Sequence, residues 1–218
     1  MLDDKTSESI HKFALDYDGQ QRVAIRFAWN GKHADEFRDE NQELRWSLAK
    51  LVLAEPDSVP LVLVRDLLME DSAWSHEAWC APHHFAGLLS ILLLRGGREY
   101  LFDFAAAMNA TFDTFGAAHE VAISSEKAHD FLREADAHLL VETDPRRRSE
   151  LDGAKELFQK MIDGNAANGW VKIPPGTPVR NIRIVDSVPQ SAKAERSLRE
   201  ALRTLPGRLR RLFLRWGR

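Results

Sequence analysis

The sequence predicts a mainly α protein. It reads as a multi-helix bundle or short helical solenoid, with a small β-hairpin near residues 170–185 and a C-terminal amphipathic basic helix. Three observations carry this. Apolar residues recur at i, i+3, i+4 and i+7 through most of the chain, the period of a one-sided helix. Pro, Gly, Ser and Asp stand where such helices would begin and end. After Gly164 the texture changes to two β-prone runs around a Pro/Gly turn.

The elements follow in order. Ile10, Phe13, Ala14 and Tyr17 share one face, so residues 6–17 read as a short helix. Val23, Ile25, Phe27 and Trp29 alternate with Arg22, Ala24, Arg26 and Ala28 ahead of Asn30-Gly31. That is a strand pattern, with a helix as the competing reading. Residues 34–54 read as one long helix with Phe37, Leu44, Leu48, Leu51 and Val52 inward and Pro56 just past its end. Asp57 or Ser58 caps the next helix, with Pro60 near its first turn and Leu61, Val64, Leu67 and Leu68 inward.

Ala81 to Arg95 is apolar on nearly every face, which places it at the centre of a bundle, and Gly96-Gly97 ends it. Tyr100, Leu101, Phe104, Met108, Phe112 and Phe115 define a further helix closed by Gly116. Residues 81–115 are therefore the expected stability centre, with Phe85, Leu88, Leu92, Tyr100, Phe104 and Met108 buried. Ser124 or Ser125 caps a helix running through Val141, with Phe131, Leu132, Ala135 and Leu139 inward. Asp144-Pro145 opens another, with Leu151, Leu157, Phe158, Met161 and Ile162 inward.

The 218 residues are 44% hydrophobic and 29% charged, ordinary for a globular chain. Six Trp and eleven Phe supply a sizeable core and argue against wholesale disorder. A single cysteine, Cys80, excludes an intramolecular disulfide and a cysteine-based zinc knuckle. The N-terminus is acidic and polar, without the pattern of a signal peptide. The most apolar run, Phe85 to Leu94, has about half the length a bilayer span requires. The expected location is cytoplasmic, and the composition suggests a bacterial source.

Charge divides the chain into an acidic body, residues 1–186, and a linker with a basic tail, residues 187–218. Lys193 to Arg218 holds nine basic and two acidic residues, a net +7, against 21 basic and 31 acidic in the other 192, a net −10. On a helical wheel Leu198, Ala201, Leu202 and Leu205 cover one arc. Leu209, Leu212, Phe213 and Trp216 each follow eleven residues later, almost three whole turns, so the arcs nearly coincide across Pro206-Gly207. The expected binding residues are Arg199, Arg203, Arg208, Arg210, Arg211, Leu212, Phe213, Arg215 and Trp216. Three surfaces suit them, in falling order: a protein groove (the chain's own body or an oligomeric copy included), nucleic acid, and an anionic membrane.

The order helix, helix, hairpin over residues 125–185 resembles the second half of a winged helix. Arg146, Arg147 and Arg148 would start its second helix, and Lys172, Arg180 and Arg183 would decorate the wing. The plainer reading is a sheet patch covering the end of a bundle.

Candidate chemistry is sparse. The densest set of proton carriers and ligands is Glu70, Asp71, His76, Glu77, Cys80, His83 and His84. Its spacing matches no metal-binding pattern, and Pro82 breaks any helical face joining His76 to His83. Glu126 and His129 have the spacing of half a di-iron site without its second half, and a solvated helix face explains them. Phosphate-loop, dinucleotide and nucleophile-elbow motifs are absent.

The sequence therefore leads to a non-catalytic interaction or adaptor subunit with no cofactor, no catalytic residue and no metal. It would bind protein partners, with nucleic acid or self-association as further options. The alternatives are a small helical enzyme or metal-binding protein built on His76–His84, and a peripheral membrane protein anchored by the tail.

Overall fold

The computed structural model describes residues 4–163, residues 4–7 by backbone alone. The hairpin near 170–185, the linker and the basic tail lie outside the described residues. What is described is mainly α. The helices are α1 (Asp4–Leu15), α2 (Arg22–Ile25), α3 (Gln42–Ala54), α4 (Leu61–Ala78) and α5 (Phe85–Gly96), then α6 (Leu101–Met108), α7 (Phe112–Ala118), α8 (Ser125–Val141) and α9 (Pro145–Ile162).

The helix that is apolar all round sits where that composition demands. α5 packs against α3, α4, α6 and α7. Phe85, Leu88, Leu89, Leu92 and Leu93 are completely buried. A left-handed Gly97 (φ +58°) turns the chain out of α5, a conformation a Cβ would strain. Arg95, on the last turn, donates to the carbonyls of Pro56 and Val59 and ties the α3–α4 loop to it. Phe104 and Met108 on α6 are fully buried, and Tyr100 is half-buried.

The second layer is α8 with α9, joined by the short connection Glu142–Thr143–Asp144. Both helices start on capping residues. Ser124 Oγ accepts the Lys127 N–H at 3.2 Å, and Asp144 Oδ1 accepts the Arg147 N–H at 2.9 Å, with Pro145 in the first turn. Phe158 of α9 stacks between Phe104 of α6 and Phe131 of α8, with centroids 5.6 and 5.5 Å away, and so joins the layers. Gly153 lets the Asn109 side chain approach α9 and donate to the Glu150 carbonyl at 3.0 Å, in space a Cβ would occupy.

Three sequence expectations are corrected. No strand forms at residues 22–29. Arg22–Ile25 is one helical turn, and beyond it only an isolated antiparallel bridge joins Trp29 to Asp39. The amides of Phe27 and Ala28 are taken by the Glu70 and Asp39 carboxylates, so no neighbouring strand is needed to satisfy them. Nor is residues 34–54 one helix. A short 3-10 turn at Ala34–Glu36 and an extended Phe37 precede α3. The helix expected over Tyr100–Phe115 is also two helices, broken at Asn109–Thr111. Thr111 and Thr114 form a reciprocal capping box that restarts the register. Phe112 thereby leaves the buried stripe and is 88% exposed, and Gly116 lies inside α7 rather than after it.

Candidate functional site

Helix α4 carries three buried carboxylates, Asp66, Glu70 and Asp71, among Leu and Val side chains. Buried acids require donors, because an unpaired ion in the interior is costly. The irregular segment before α3 and the helices around it supply them.

Arg45 of α3 is the hub and is wholly buried. Its Nε donates to Asp71 Oδ1 at 2.7 Å and its Nη2 to Asp39 Oδ2 at 2.7 Å. Asp39 Oδ1 accepts the Ala28 and Asn41 amides at 3.0 and 3.2 Å. The other Asp71 oxygen lies 2.7 Å from His84 Nε2, which must carry the proton to donate to a carboxylate. His84 is the residue just before α5, so this pair ties α4 to the start of the central helix. Trp46 packs edge-on against His84, and Trp74 edge-on against Trp46. Their indole N–H groups are buried with no conventional acceptor among the described residues. In such an aromatic cluster the π faces are the available weak acceptors.

A second set meets the other face of α4. Tyr17 Oη donates to Asp66 Oδ2 at 2.8 Å, and Arg65 donates to Asp66 Oδ1. Burial, and then the Asp66 hydrogen bond and charge, push the Tyr17 hydroxyl well above its ordinary value, so it stays a donor. Arg22 Nε donates to Glu70 Oε1 at 2.8 Å, and the Phe27 amide to Glu70 Oε2 at 2.9 Å.

Both oxygens of Asp39, Asp66, Glu70 and Asp71 therefore already accept hydrogen bonds from the protein. This is the chemistry of a clamp. The carboxylates hold residues 17–45 onto α4 and have their lone pairs directed at Arg, Tyr, His and amide donors. Of the seven candidates read from the sequence, the fold joins Asp71 with His84 across 13 residues, and otherwise pairs only the sequence neighbours His76 and Glu77. Glu70 turns to Arg22 and Phe27, and His76 is exposed and pairs with its neighbour Glu77. His83 and Cys80 are exposed. Among the described residues no group of three or more His, Cys, Asp or Glu converges as a metal site would. Glu126 and His129 lie on the exposed face of α8. Sequence reasoning missed Tyr17, Arg22, Asp39 and Arg45. The available signal was three acids within six positions, interspersed with Leu67, Leu68 and Met69, since acids placed among core residues need partners.

The second feature lies on the surface. Trp79 ends α4 in the left-handed conformation (φ 57°, ψ 36°), its N–H donating to the Ser75 carbonyl, and its side chain is 81% exposed. A bulky residue is a poor choice there, where Gly or Asn is usual. Phe112 is the first residue of α7, and α4 packs against α7. Desolvation, and then the Asp113 charge, push the Cys80 thiol above its ordinary value, which leaves it a weak nucleophile. Two exposed aromatics thus sit on backbone fixed by helix caps.

Among the described residues no helix is long and apolar enough to cross a membrane. No family model matches the chain, and comparison with curated proteins and with solved structures finds no match for it either.

Proposed function

We propose that this protein is a non-catalytic interaction subunit of a cytoplasmic complex. Its helical body docks a protein partner through the face bearing Trp79 and Phe112. The observation that carries this reading is Trp79 itself: a large aromatic in a strained backbone conformation, turned into solvent. Strain and exposure both cost stability, and such costs persist where a bound state uses them. Phe112, exposed by a dedicated capping box, supplies a second anchor of the type that dominates interface energetics. The saturated carboxylates beside Arg45 fit a body built for rigidity rather than turnover.

The test separates folding from binding. Trp79→Gly removes the anchor and relieves the left-handed strain, so the melting temperature should hold or rise slightly. Combined with Phe112→Ser, it should weaken retention of the co-purifying partner by tenfold or more. Unchanged retention with an intact melt would exclude this face.

The basic tail is proposed as a second contact, through Arg199, Arg203, Arg208, Arg210, Arg211, Leu212, Phe213, Arg215 and Trp216. A chain ending at Ser191 should keep the helical circular dichroism of the body and lose that contact. With nucleic acid as target, changing Arg208, Arg210, Arg211 and Arg215 to Gln weakens binding most and flattens its salt dependence. With a protein groove as target, Leu212→Glu with Phe213→Glu dominates. Unfolding of the body on truncation would make the tail part of its core.

A further inference from the structure

We infer that the cleft between the end of α5 and the first turns of α8 binds a small anionic amphiphile, a carboxylate carried on a short apolar body. This goes beyond the docking of a partner and uses none of the residues of that face.

Two elements make the cleft. Leu93 and Leu94 stand on the last turn of α5, and Gly97 and Arg98 begin the 3-10 turn Gly97–Tyr100 that follows it. Opposite them α8 contributes Lys127, Phe131 and Glu134, whose spacing puts them on one side of the helix. The space between is about 300 Å³, at the lower end of the range for small-molecule sites. At about 30 Å³ per water it takes about ten waters, or a molecule of about ten non-hydrogen atoms. The floor is apolar. Leu93 is fully buried, Phe131 nearly so, and Leu94 half-buried. Gly97 (φ +58°) leaves one side open, since a Cβ there would meet nothing within 4 Å.

Charge selects the occupant. Residues 4–163 hold 18 basic and 29 acidic residues, a net −11. The cleft runs the other way, with Arg98, Lys127 and Arg133 against Asp130 and Glu134, a net +1. Asp130 is already held by Arg133 at 2.6 Å. Among the described residues neither the Arg98 nor the Lys127 side chain has a hydrogen-bond or ion-pair partner. This is unusual for the molecule. Every other described arginine except Arg26 reaches a carboxylate or a backbone carbonyl. Two unpaired cations beside an apolar floor match a ligand charged at one end. Arg98 offers forked N–H donors to a carboxylate, and Lys127 a second positive charge. The body of the ligand takes Leu94 and the accessible edge of Phe131 out of solvent. A cationic ligand would find one free carboxylate, Glu134, opposed by two free cations.

The experiment titrates the full chain with octanoate, octanamide and butyrate, followed by amide chemical shifts. Octanoate has the charge and the size, octanamide lacks the charge, and butyrate lacks the body. Octanoate should shift residues 93–98 and 127–134 saturably, and the other two should bind at least tenfold more weakly. Arg98→Gln with Lys127→Gln should weaken octanoate tenfold or more at an unchanged melting temperature, because both side chains are exposed. Glu134→Gln, which removes a like charge, should strengthen it. Equal binding of octanamide overturns the inference by removing the need for charge. Equal binding of butyrate overturns it by reducing the effect to surface attraction. Octanoate that fails to saturate, that centres on other residues or that survives the double substitution overturns it as well. Each of these failures leaves the Trp79 and Phe112 face standing.

Discussion

Replacing Arg45 by Met should lower stability by about 3–5 kcal/mol, the range for removing one partner of a buried ion pair. The side chain is wholly buried and serves two carboxylates at once, Asp39 and Asp71, each at 2.7 Å. Met fills similar space, so the loss is not one of volume. What remains is two buried acids short of a donor. Asp39 keeps amide donors on its other oxygen, and Asp71 keeps His84. A domain of this size loses about 2–4 °C of melting temperature per kcal/mol, so thermal unfolding followed by circular dichroism reads the effect directly. Arg45→Lys should recover little, because one ammonium cannot reproduce the Nε and Nη2 directions that reach both acids. Replacing Arg45, Asp39 and Asp71 together by apolar residues should recover part of the loss, since no unpaired charge is then left behind. A melt unmoved by Arg45→Met would mean that the cluster holds nothing together.

Leu92→Ala should cost about 2–5 kcal/mol. Leu92 is fully buried on α5, the helix that packs against four others. Neighbours fixed from several directions cannot collapse into the space of a deleted isobutyl group, so the cost belongs in the upper part of that range. Chemical unfolding should show a lower midpoint with an unchanged slope. An unchanged midpoint would remove α5 from the centre of the fold.

Most of the helices were legible because their signals are local. Ser124 and Asp144-Pro145 cap α8 and α9 as their residue types indicate, Gly97 ends the central helix, and the apolar periods of α4, α5, α8 and α9 point inward as read. The misreadings have a physical pattern. Phe112 extends the apolar period of the preceding helix, and only the threonine pair at 111 and 114 reveals that the period restarts. Residues 22–41 were unreadable for a different reason. Their conformation is set by Glu70 and Asp71, through Arg22, Phe27 and Arg45, across sequence separations of 26 to 48 residues. Alternation of Val23, Ile25, Phe27 and Trp29 cannot report such partners. The clamp around Arg45 was half visible, as acids crowded on one helix. The exposed aromatics were invisible, because a Trp and a Phe in a helical sequence are ordinarily core.

The carboxylates of α4 also bear on the order in which the molecule comes apart. The amides of Phe27 and Ala28 are held by side-chain acceptors, so their exclusion from solvent depends on the Glu70 and Asp39 contacts rather than on any ladder or helix. The segment they belong to spends its chain entropy to reach a helix 43 residues further on, and regains it whenever the contact opens. Residues 17–41 should therefore behave as a separate cooperative unit in native-state hydrogen exchange. They should be protected despite having little regular structure, and be released together at a lower free energy than the α4–α5 centre.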